Sequence, residues 1–468
     1  MLNILRMVLK ESLTILRKND FGVFCAFSGF NNKNNDYPPL GKGSVLRPLK
    51  FSKYFRNYGW EPIVLTSTPR SYYFRDNSLL RESESYGIKV YRTPGSGNNL
   101  LTGRKLKDLP NEGPRILKRK LSRYRKQPDE HRSWINKAVK LGKEIIESHK
   151  IEIIYATGPS FTALIAAGEL KEKFKIPLVT DYQDSWLHSP GAYYPMGYHR
   201  LRNLKLEQEV IKVTDEIITT NRRIKEYLIE EYDYLRHEDI NIIHHGYDND
   251  DLKLAAEGPL PEKPKMRFTT SGNFFDLVTP KYFFEGMRLA FEKRPDMRGK
   301  IEACFIGGLS KENLKLIQKN NVSDSVINPG YVDHIDSIKY LMASDVLWFM
   351  IDKGVGEEVI APVRLAEYFG VRKPILACVP DGAAKQLMRD YDAVRICEPD
   401  EPADIATLII EYYELYTKRM MPIANEEVVR KFNIDKLTYQ LVRYFEFLRD
   451  IPPEFGIRKA KPAVENEY

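Results

Sequence analysis

Thirteen short apolar runs, set between longer amphipathic ones, constrain this chain more tightly than any other feature. In the first half they are "GVFCAF" (22–27), "EPIVLT" (61–66), "IKVYRT" (88–93), "IEIIYAT" (151–157), "IPLVTD" (176–181), "EIITT" (216–220) and "INIIHH" (240–245). Helical patterns fall between several of them, over Val45–Tyr58, Trp134–Ser148, Phe161–Phe174, Leu201–Val213 and Arg222–Tyr232. Continuous apolar strands alternating with helices indicate a parallel sheet covered on both faces. The alternation stops at "EGPLPEKPK", Glu257–Lys265, where three prolines and a glycine in nine residues read as an interdomain linker. It restarts with "MRFTTSG" (266–272), "IEACFIGG" (301–308), "SVINPG" (325–330), "DVLWFMI" (345–351), "KPILACV" (373–379) and "AVRICE" (393–398).

At 468 residues the chain is too long for one core. The expected architecture is α/β, with two facing Rossmann-like, doubly wound domains at 21–256 and 266–432 joined by 257–265. An amphipathic segment, 1–20, precedes them and a helical segment with a tail, 433–468, follows. In that last segment Ile434, Leu437, Leu441, Phe445 and Leu448 mark one apolar helix face that either domain could receive. Doubly wound sheets bind ligands beyond the carboxyl ends of their strands, so two such edges face to face make a cleft suited to two substrates.

The chain is 43% hydrophobic and 29% charged, which is ordinary for a globular protein and argues against general disorder. Cys25, Cys304, Cys378 and Cys397 are widely spaced and form no CxxC pair. They read as buried free thiols in a reducing compartment. The opening "MLNILRMVLKESLTILRKND" is broken by Arg6, Lys10 and Glu11, so it reads as an amphipathic helix packed on the fold or lying on a membrane surface. A cytoplasmic chain, peripheral on the inner face of the membrane, is the expectation. Net charge is +8, and Arg104–Lys126 concentrates ten Lys/Arg against two acids. Such a block is either a solvated face or a contact for anionic lipid or acidic polymer. No helix-turn-helix, RNP or zinc-finger pattern accompanies it, so nucleic acid is not an expected partner.

"YPPLGKGSVLRPLKF" (37–51) follows the first strand and opens the first helix. Gly41 and Gly43 permit close backbone approach, and the amides at the helix start favour an anion. It is neither a Walker A loop nor GxGxxG, and a plain turn is the competing reading. "LVTDYQDSWLHSP" (178–190) sets Asp181 and Asp184 at a strand end, where a carboxylate binds sugar hydroxyls, accepts a proton or caps a turn. In "IIHHGYDNDD" (242–251), His244 and His245 are consecutive in a strand and point to opposite faces. That argues for a hinge entry and against a metal site. "FTTSGNFF" (268–275) offers Ser271-Gly272 either as a backbone approach for phosphate or as a tight turn.

"APVRLAEYFGVRKPILACVPDG" (361–382) is more specific. Pro362 suits a first helical turn, Gly370 ends the helix, and Arg364 and Glu367 share one face. One reading is a solvated intrahelical ion pair. Yet a cation near a helix N-terminus opposes the helix dipole unless an anion lies between them. A carboxylate one turn further in can accept both hydroxyls of a ribose, so the pair together suits a nucleoside diphosphate.

In order, these segments resemble GT-B-fold glycosyltransferases of the family 4-like kind over nearly the full length after residue 20. "GKGSVLRPLKFSKYFRNYGWEPIVLT" resembles their Gly-rich opening and the strand after it, and "IIYATGPSFTALIAAGELKEKFKIPLVTDYQDSW" their segment ending D-x-x-D-x-W. "LEQEVIKVTDEIITTNRRIKEYL", "IIHHGYD", "NPGYVDHIDSIKYLMASDVLWF" and "APVRLAEYFGVRKPILA" are similar to the elements that follow. The resemblance implies transfer of a sugar from a nucleotide donor, with retention of configuration, no bound metal and no cofactor. It makes Glu367 the ribose ligand and Arg364 the counterpart of the family's lysine. Val363 and Leu365 would supply backbone contacts, Gly43 would approach the diphosphate, and Asp184 would face the acceptor. The final helix would cross back onto the first domain.

Two departures matter. Where relatives carry G-R-x-x-x-x-K-G, this chain has "GNFFDLVTPKYFFEG", with Asn273 in place of the Arg and Thr279 near the Lys. Where the first Glu of the E-x7-E pair stands, this chain has Val359, with Glu357 and Glu358 out of register. Phosphate stabilisation would then shift to Arg364, Arg47 or Lys281. The expected function is glycosyl transfer to a glycan or lipid-linked acceptor in surface polysaccharide or glycolipid synthesis. The alternative is a non-catalytic GT-B module serving as a partner or glycan-binding subunit. A nucleotide-sugar epimerase on a similar fold has no motif in its favour.

Overall fold

The computed structural model describes residues 21–27, 37–68, 74–94, 117, 121, 124, 127–129, 131–190, 194–274 and 278–450. The segment 1–20, most of the basic block 104–126 and the tail 451–468 lie outside these.

Each of the thirteen apolar runs forms a strand. β1 (Phe21–Phe27), β2 (Trp60–Ser67), β3 (Lys89–Thr93), β4 (Ile151–Gly158), β5 (Leu178–Tyr182), β6 (Glu216–Thr219) and β7 (Ile240–Ile242) make one sheet in the order β3-β2-β1-β4-β5-β6-β7. The strands β8 (Met266–Ser271), β9 (Ile301–Ile306), β10 (Val326–Gly330), β11 (Val346–Met350), β12 (Ile375–Cys378) and β13 (Val394–Cys397) make a second, in the order β10-β9-β8-β11-β12-β13. All the pairings are parallel. In each sheet the order reverses beside the first strand, at β1/β4 and at β8/β11. That reversal is where a doubly wound sheet opens a crevice.

The helix Gly43–Phe55 is buried at every position from Val45 to Phe55. One side covers the first sheet, and the closing helix, Ile434–Asp450, covers another. Leu437, Leu441, Phe445 and Leu448 enter the core around Phe55, Trp60 and Tyr155, and the Phe445 ring centroid lies 5.4 Å from both Phe55 and Trp60. The apolar face at the end of the chain thus packs on the first domain.

The two chain crossings between domains run side by side. Tyr247 N–H donates to the Phe432 carbonyl at 2.9 Å, and Ile434 N–H donates to the Tyr247 carbonyl at 2.9 Å. This corrects the boundary expected at 257. The helix Asn249–Ala256 packs on the helix His334–Ala343, and Leu252 joins the second domain's core. The proline-rich stretch is already fastened to that domain, with Arg267 Nη2 on the Glu262 carbonyl at 2.6 Å and Lys263 paired with Asp345. The crossing therefore falls near Gly246. Prolines mark an irregular backbone but do not say which domain the neighbouring helix packs on.

Cys304, Cys378 and Cys397 are free thiols, although Cys378 and Cys397 are register partners on β12 and β13 with sulfurs 3.7 Å apart. No helix among the described residues is long and apolar enough to cross a membrane.

Candidate functional site

The helix Val363–Val371 starts at the carboxyl edge of the second sheet, and its first turn meets the glycine-rich turn of the first domain. A Cβ on Gly43 would stand 2.9 Å from Val363 Cγ1, and one on Gly41 would collide with the Tyr331 hydroxyl at 1.7 Å. At both, a larger residue would require the facing domain's side chain to shift. Arg364 lies across the ends of β8 and β11, donating from Nη1 to the Ser271 carbonyl (3.2 Å) and from Nη2 to the Met350 carbonyl (3.1 Å). Its guanidinium carbon is 5.2 Å from the Phe349 ring centroid, and its buried Nε has no hydrogen-bond partner. Gly272 makes the room: its φ is +132°, and a Cβ there would come within 2.4 Å of Arg364 Nη1. Burial lowers the Arg364 pKa, but a guanidinium stays charged.

The structure thus gathers Gly43, Gly272, Val363, Arg364 and Glu367 around one helix start. Leu365 is different, because its N–H is spent on the Pro362 carbonyl at 3.0 Å and its side chain is buried in the core. Lys281 begins the helix Lys281–Lys293 with its ammonium 4.6 Å from the Tyr282 ring centroid. Asn273 and Thr279 are engaged within their own domain. Asn273 Oδ1 accepts the Gly308 N–H (2.8 Å), and Thr279 Oγ1 donates to Asn313 (2.9 Å). Asp352, which sequence reasoning passed over, accepts the Thr279 N–H at 3.0 Å. Burial pushes its carboxyl up to about 6, with that hydrogen bond and Arg364 pulling against the rise.

Arg47 is corrected from phosphate ligand to structural cation. Its Nε and Nη2 bind Asp181 at 2.7 and 2.9 Å, and Nη1 and Nη2 reach the carbonyls of His244 (2.7 Å) and Ile243 (3.0 Å). Asp181 also accepts from Tyr155 and Thr157. Both charges are buried, so neither faces a ligand. Asp184 remains half-buried in the turn after β5. His244 donates from Nδ1 to the Thr220 carbonyl (2.8 Å), at the chain crossing.

The acids of "YDNDD" serve a network that the sequence reading missed. Glu82, Asp248 and Asp251 bring one carboxylate oxygen each within 4.8 Å of one another. Lys50 Nζ fills that centre, at 2.6 Å from Glu82, 2.6 Å from Asp251 and 3.1 Å from Asp248. Burial works against the ammonium, but Asp251, Glu82 and Asp248 outweigh it and hold the pKa above its ordinary range. Lys50 thus reaches across to Asp251 in the second domain, where Asp251 also meets His334 Nε2 at 2.8 Å, and His334 Nδ1 lies 3.5 Å from Glu367 Oε1. Asp76 adds a second link. It caps the helix Asn77–Ser85 through the N–H groups of Ser78 (2.8 Å) and Leu79 (3.1 Å), and it accepts the His334 N–H at 2.7 Å. The available signal was Arg47, Lys50 and Lys53 spaced along a helix with no exposed face.

At the other end of the cleft the domains also touch. Tyr227 donates to Glu358 at 2.6 Å and Asn221 to the Val359 carbonyl at 3.0 Å, while Gly356 lies against the His188 carbonyl.

Two facing parallel-sheet domains around such a cleft define the GT-B fold. Residues 49–251, somewhat less than half of the chain, match the family model described as Glycosyltransferase Family 4, and the chain has the GT-B fold. Solved structures agree on the fold. A glycosyltransferase from Rickettsia africae is 13% identical with a TM-score of 0.62, covering 93% of this chain and all of its own. Anabaena HepE in complex with UDP-glucose is 15% identical with a TM-score of 0.60, over 91% of this chain and 99% of its own. A putative UDP-N-acetylglucosamine 2-epimerase from Listeria monocytogenes is 14% identical with a TM-score of 0.53, over 91% and 96%. A search of curated proteins by sequence finds no match.

Proposed function

We propose that the chain transfers a sugar from a nucleoside-diphosphate donor to a glycan or lipid-linked acceptor, with retention of configuration and without a metal, in surface polysaccharide or glycolipid synthesis. The observation that carries this reading is Arg364 and Glu367 on the first turns of one helix whose first residue, Val363, meets Gly43 across the cleft. The diphosphate lies against the helix amides and Arg364, and Glu367 accepts the ribose hydroxyls. The bond from the anomeric carbon to the phosphate oxygen breaks as the bond to the acceptor oxygen forms. The acceptor's proton passes to the departing phosphate, whose charge Arg364 and the helix start stabilise. Asp184 faces the acceptor from the first domain.

The protein works at the cytoplasmic side of an anionic membrane. Supporting this are the basic composition of Arg104–Lys126 and the exposure of Leu117, Leu121 and Tyr124 within it. One observation favours the non-catalytic alternative: Asn273 and Thr279, where relatives carry cations, are neutral and bound within their own domain.

Thermal-shift titration against UDP, GDP, ADP, dTDP and CMP, followed by product analysis with the sugar donor of the best binder, separates the readings. UDP comes first because HepE was solved with a UDP-sugar. A nucleotide that raises the Tm together with a released or transferred sugar supports the transferase. An epimerised donor sugar would overturn it in favour of an epimerase, and binding without turnover in favour of the module. In the same assay Glu367→Ala is expected to weaken the nucleotide by about 1.5–3 kcal/mol, because two hydroxyls lose a charged acceptor. Unchanged affinity would remove Glu367 from the site.

A further inference from the structure

The donor-site reading leaves one group beside the site without a role. His334 is the first residue of the helix His334–Ala343, and its side chain is 9% exposed. It has carboxylates on both ring nitrogens, Asp251 on Nε2 at 2.8 Å and Glu367 on Nδ1 at 3.5 Å, and a third, Asp76, on its N–H at 2.7 Å. Asp251 is hydrogen-bonded and Glu367 stands at ion-pair distance, so an imidazolium faces both carboxylates with positive charge, where a neutral ring would turn a lone pair on one of them.

We propose that His334 is a positioning residue that keeps the Glu367 carboxylate ionised and oriented for the ribose diol, itself held in place by Asp251 and, across the domain contact, by Asp76. The proposal rests on the donor-site reading. Its chemistry follows from what surrounds Glu367. Burial pushes the Glu367 carboxyl up from its usual range, and Asp251 adds to that push, whereas His334 opposes it, with help from Lys50 and Arg364. A protonated Glu367 would lose half its accepting capacity, so the cation beside it sets how well it holds two hydroxyls.

Asp251, Glu367 and Lys50 act on the imidazole directly, and further charged groups lie on the elements around it. Lys50 comes from the helix Gly43–Phe55, with Glu82 behind it. Asp248 and Asp251 flank the helix start at Asn249, and Asp76 caps the helix Asn77–Ser85. Glu367 and Arg364 lie on the helix Val363–Val371, and Asp333 and Asp336 on or beside its own helix. Burial lowers the His334 pKa, but Asp251 and Glu367 outweigh burial and bring it to about 9. A raised histidine pKa stabilises the folded, closed contact fully below about pH 6.5, and that contribution is lost as pH rises through about 9.

The test is calorimetric binding of UDP and of 2′,3′-dideoxy-UDP to the full chain between pH 6 and 10, for the wild type, H334Q, E367Q and the double variant. Wild-type affinity for UDP is expected to be level to about pH 8 and to fall as pH passes about 9. H334Q should weaken UDP about tenfold at pH 7, abolish the alkaline fall and introduce a loss toward lower pH as Glu367 protonates. Neither change should occur with the dideoxy nucleotide, and H334Q should cost less than about twofold in the E367Q background. Equal losses for both nucleotides, or additive losses in the double variant, would reduce His334 to a structural contact and overturn the proposal. If H334Q does not fold, D251N serves, with the alkaline fall expected to move to lower pH; an unmoved profile overturns the proposal equally. A wild type that binds no UDP or other nucleoside diphosphate defeats the donor-site reading itself, whereas binding that ignores H334Q defeats only this inference.

Discussion

Arg47→Ala is expected to destabilise the first domain by about 3–5 kcal/mol and to leave nucleotide affinity of the folded protein unchanged. Removing the guanidinium strands Asp181, which is fully buried and left with only the hydroxyls of Tyr155 and Thr157. The carbonyls of Ile243 and His244 lose their donor as well, just ahead of the chain crossing. The cost arises from the uncompensated charge, so replacing both partners, as in Arg47→Met with Asp181→Leu, should recover much of the loss. Differential scanning calorimetry on the single and double variants measures this, with the single variant expected to lower the Tm on the order of 10 °C. A near-normal Tm combined with weakened nucleotide binding would return Arg47 to the list of phosphate ligands.

Arg47 also shows where sequence reading stops. The inner strands, such as β5, β8 and β11, were legible because a strand buried on both faces must be apolar along its length, and that pattern needs no knowledge of its partners. The helix Val363–Val371 was legible for a local reason, a proline at the start and a charged pair at helical spacing. The network of Lys50, Asp251 and His334 was not. Its members are 201 residues apart at Lys50–Asp251 and 83 at Asp251–His334, and each alone resembles a solvated surface charge. Long-range charge pairing leaves no periodic trace. What can be seen is the inconsistency of charged residues on a helix that has no solvent face. The helix Asn77–Ser85 was missed for a related reason, since its cap, Asp76, sits in a stretch that reads as a loop until the facing domain supplies His334.

Arg364→Ala is expected to lower kcat by about 10²–10³ while leaving affinity for the bare nucleoside intact. The geometry makes this cation hard to replace. Asn273 and Thr279, which stand where relatives carry positive charge, are neutral and bound within their own domain, and Arg47 is consumed by Asp181. Glu367 and then Asp352 enter the electrostatics of Arg364, and the Asp352 carboxyl, pushed up to about 6, carries less negative charge toward a diphosphate at mildly acid pH than an ordinary aspartate. Arg364 is also pre-placed. Two strand-end carbonyls orient the guanidinium, and its buried Nε is left without a partner, so little reorganisation is required when charge develops on the leaving phosphate. Arg364→Lys should keep the charge but lose the two-carbonyl fork, leaving kcat between wild type and alanine. Comparing nucleoside, nucleoside monophosphate and nucleoside diphosphate affinities across the three proteins separates electrostatics from folding. The Arg364 penalty should grow with each phosphate. A penalty equally large for the nucleoside would mean that Arg364 only ties β8 to β11, and the charge on the leaving group would have to be met from elsewhere in the cleft.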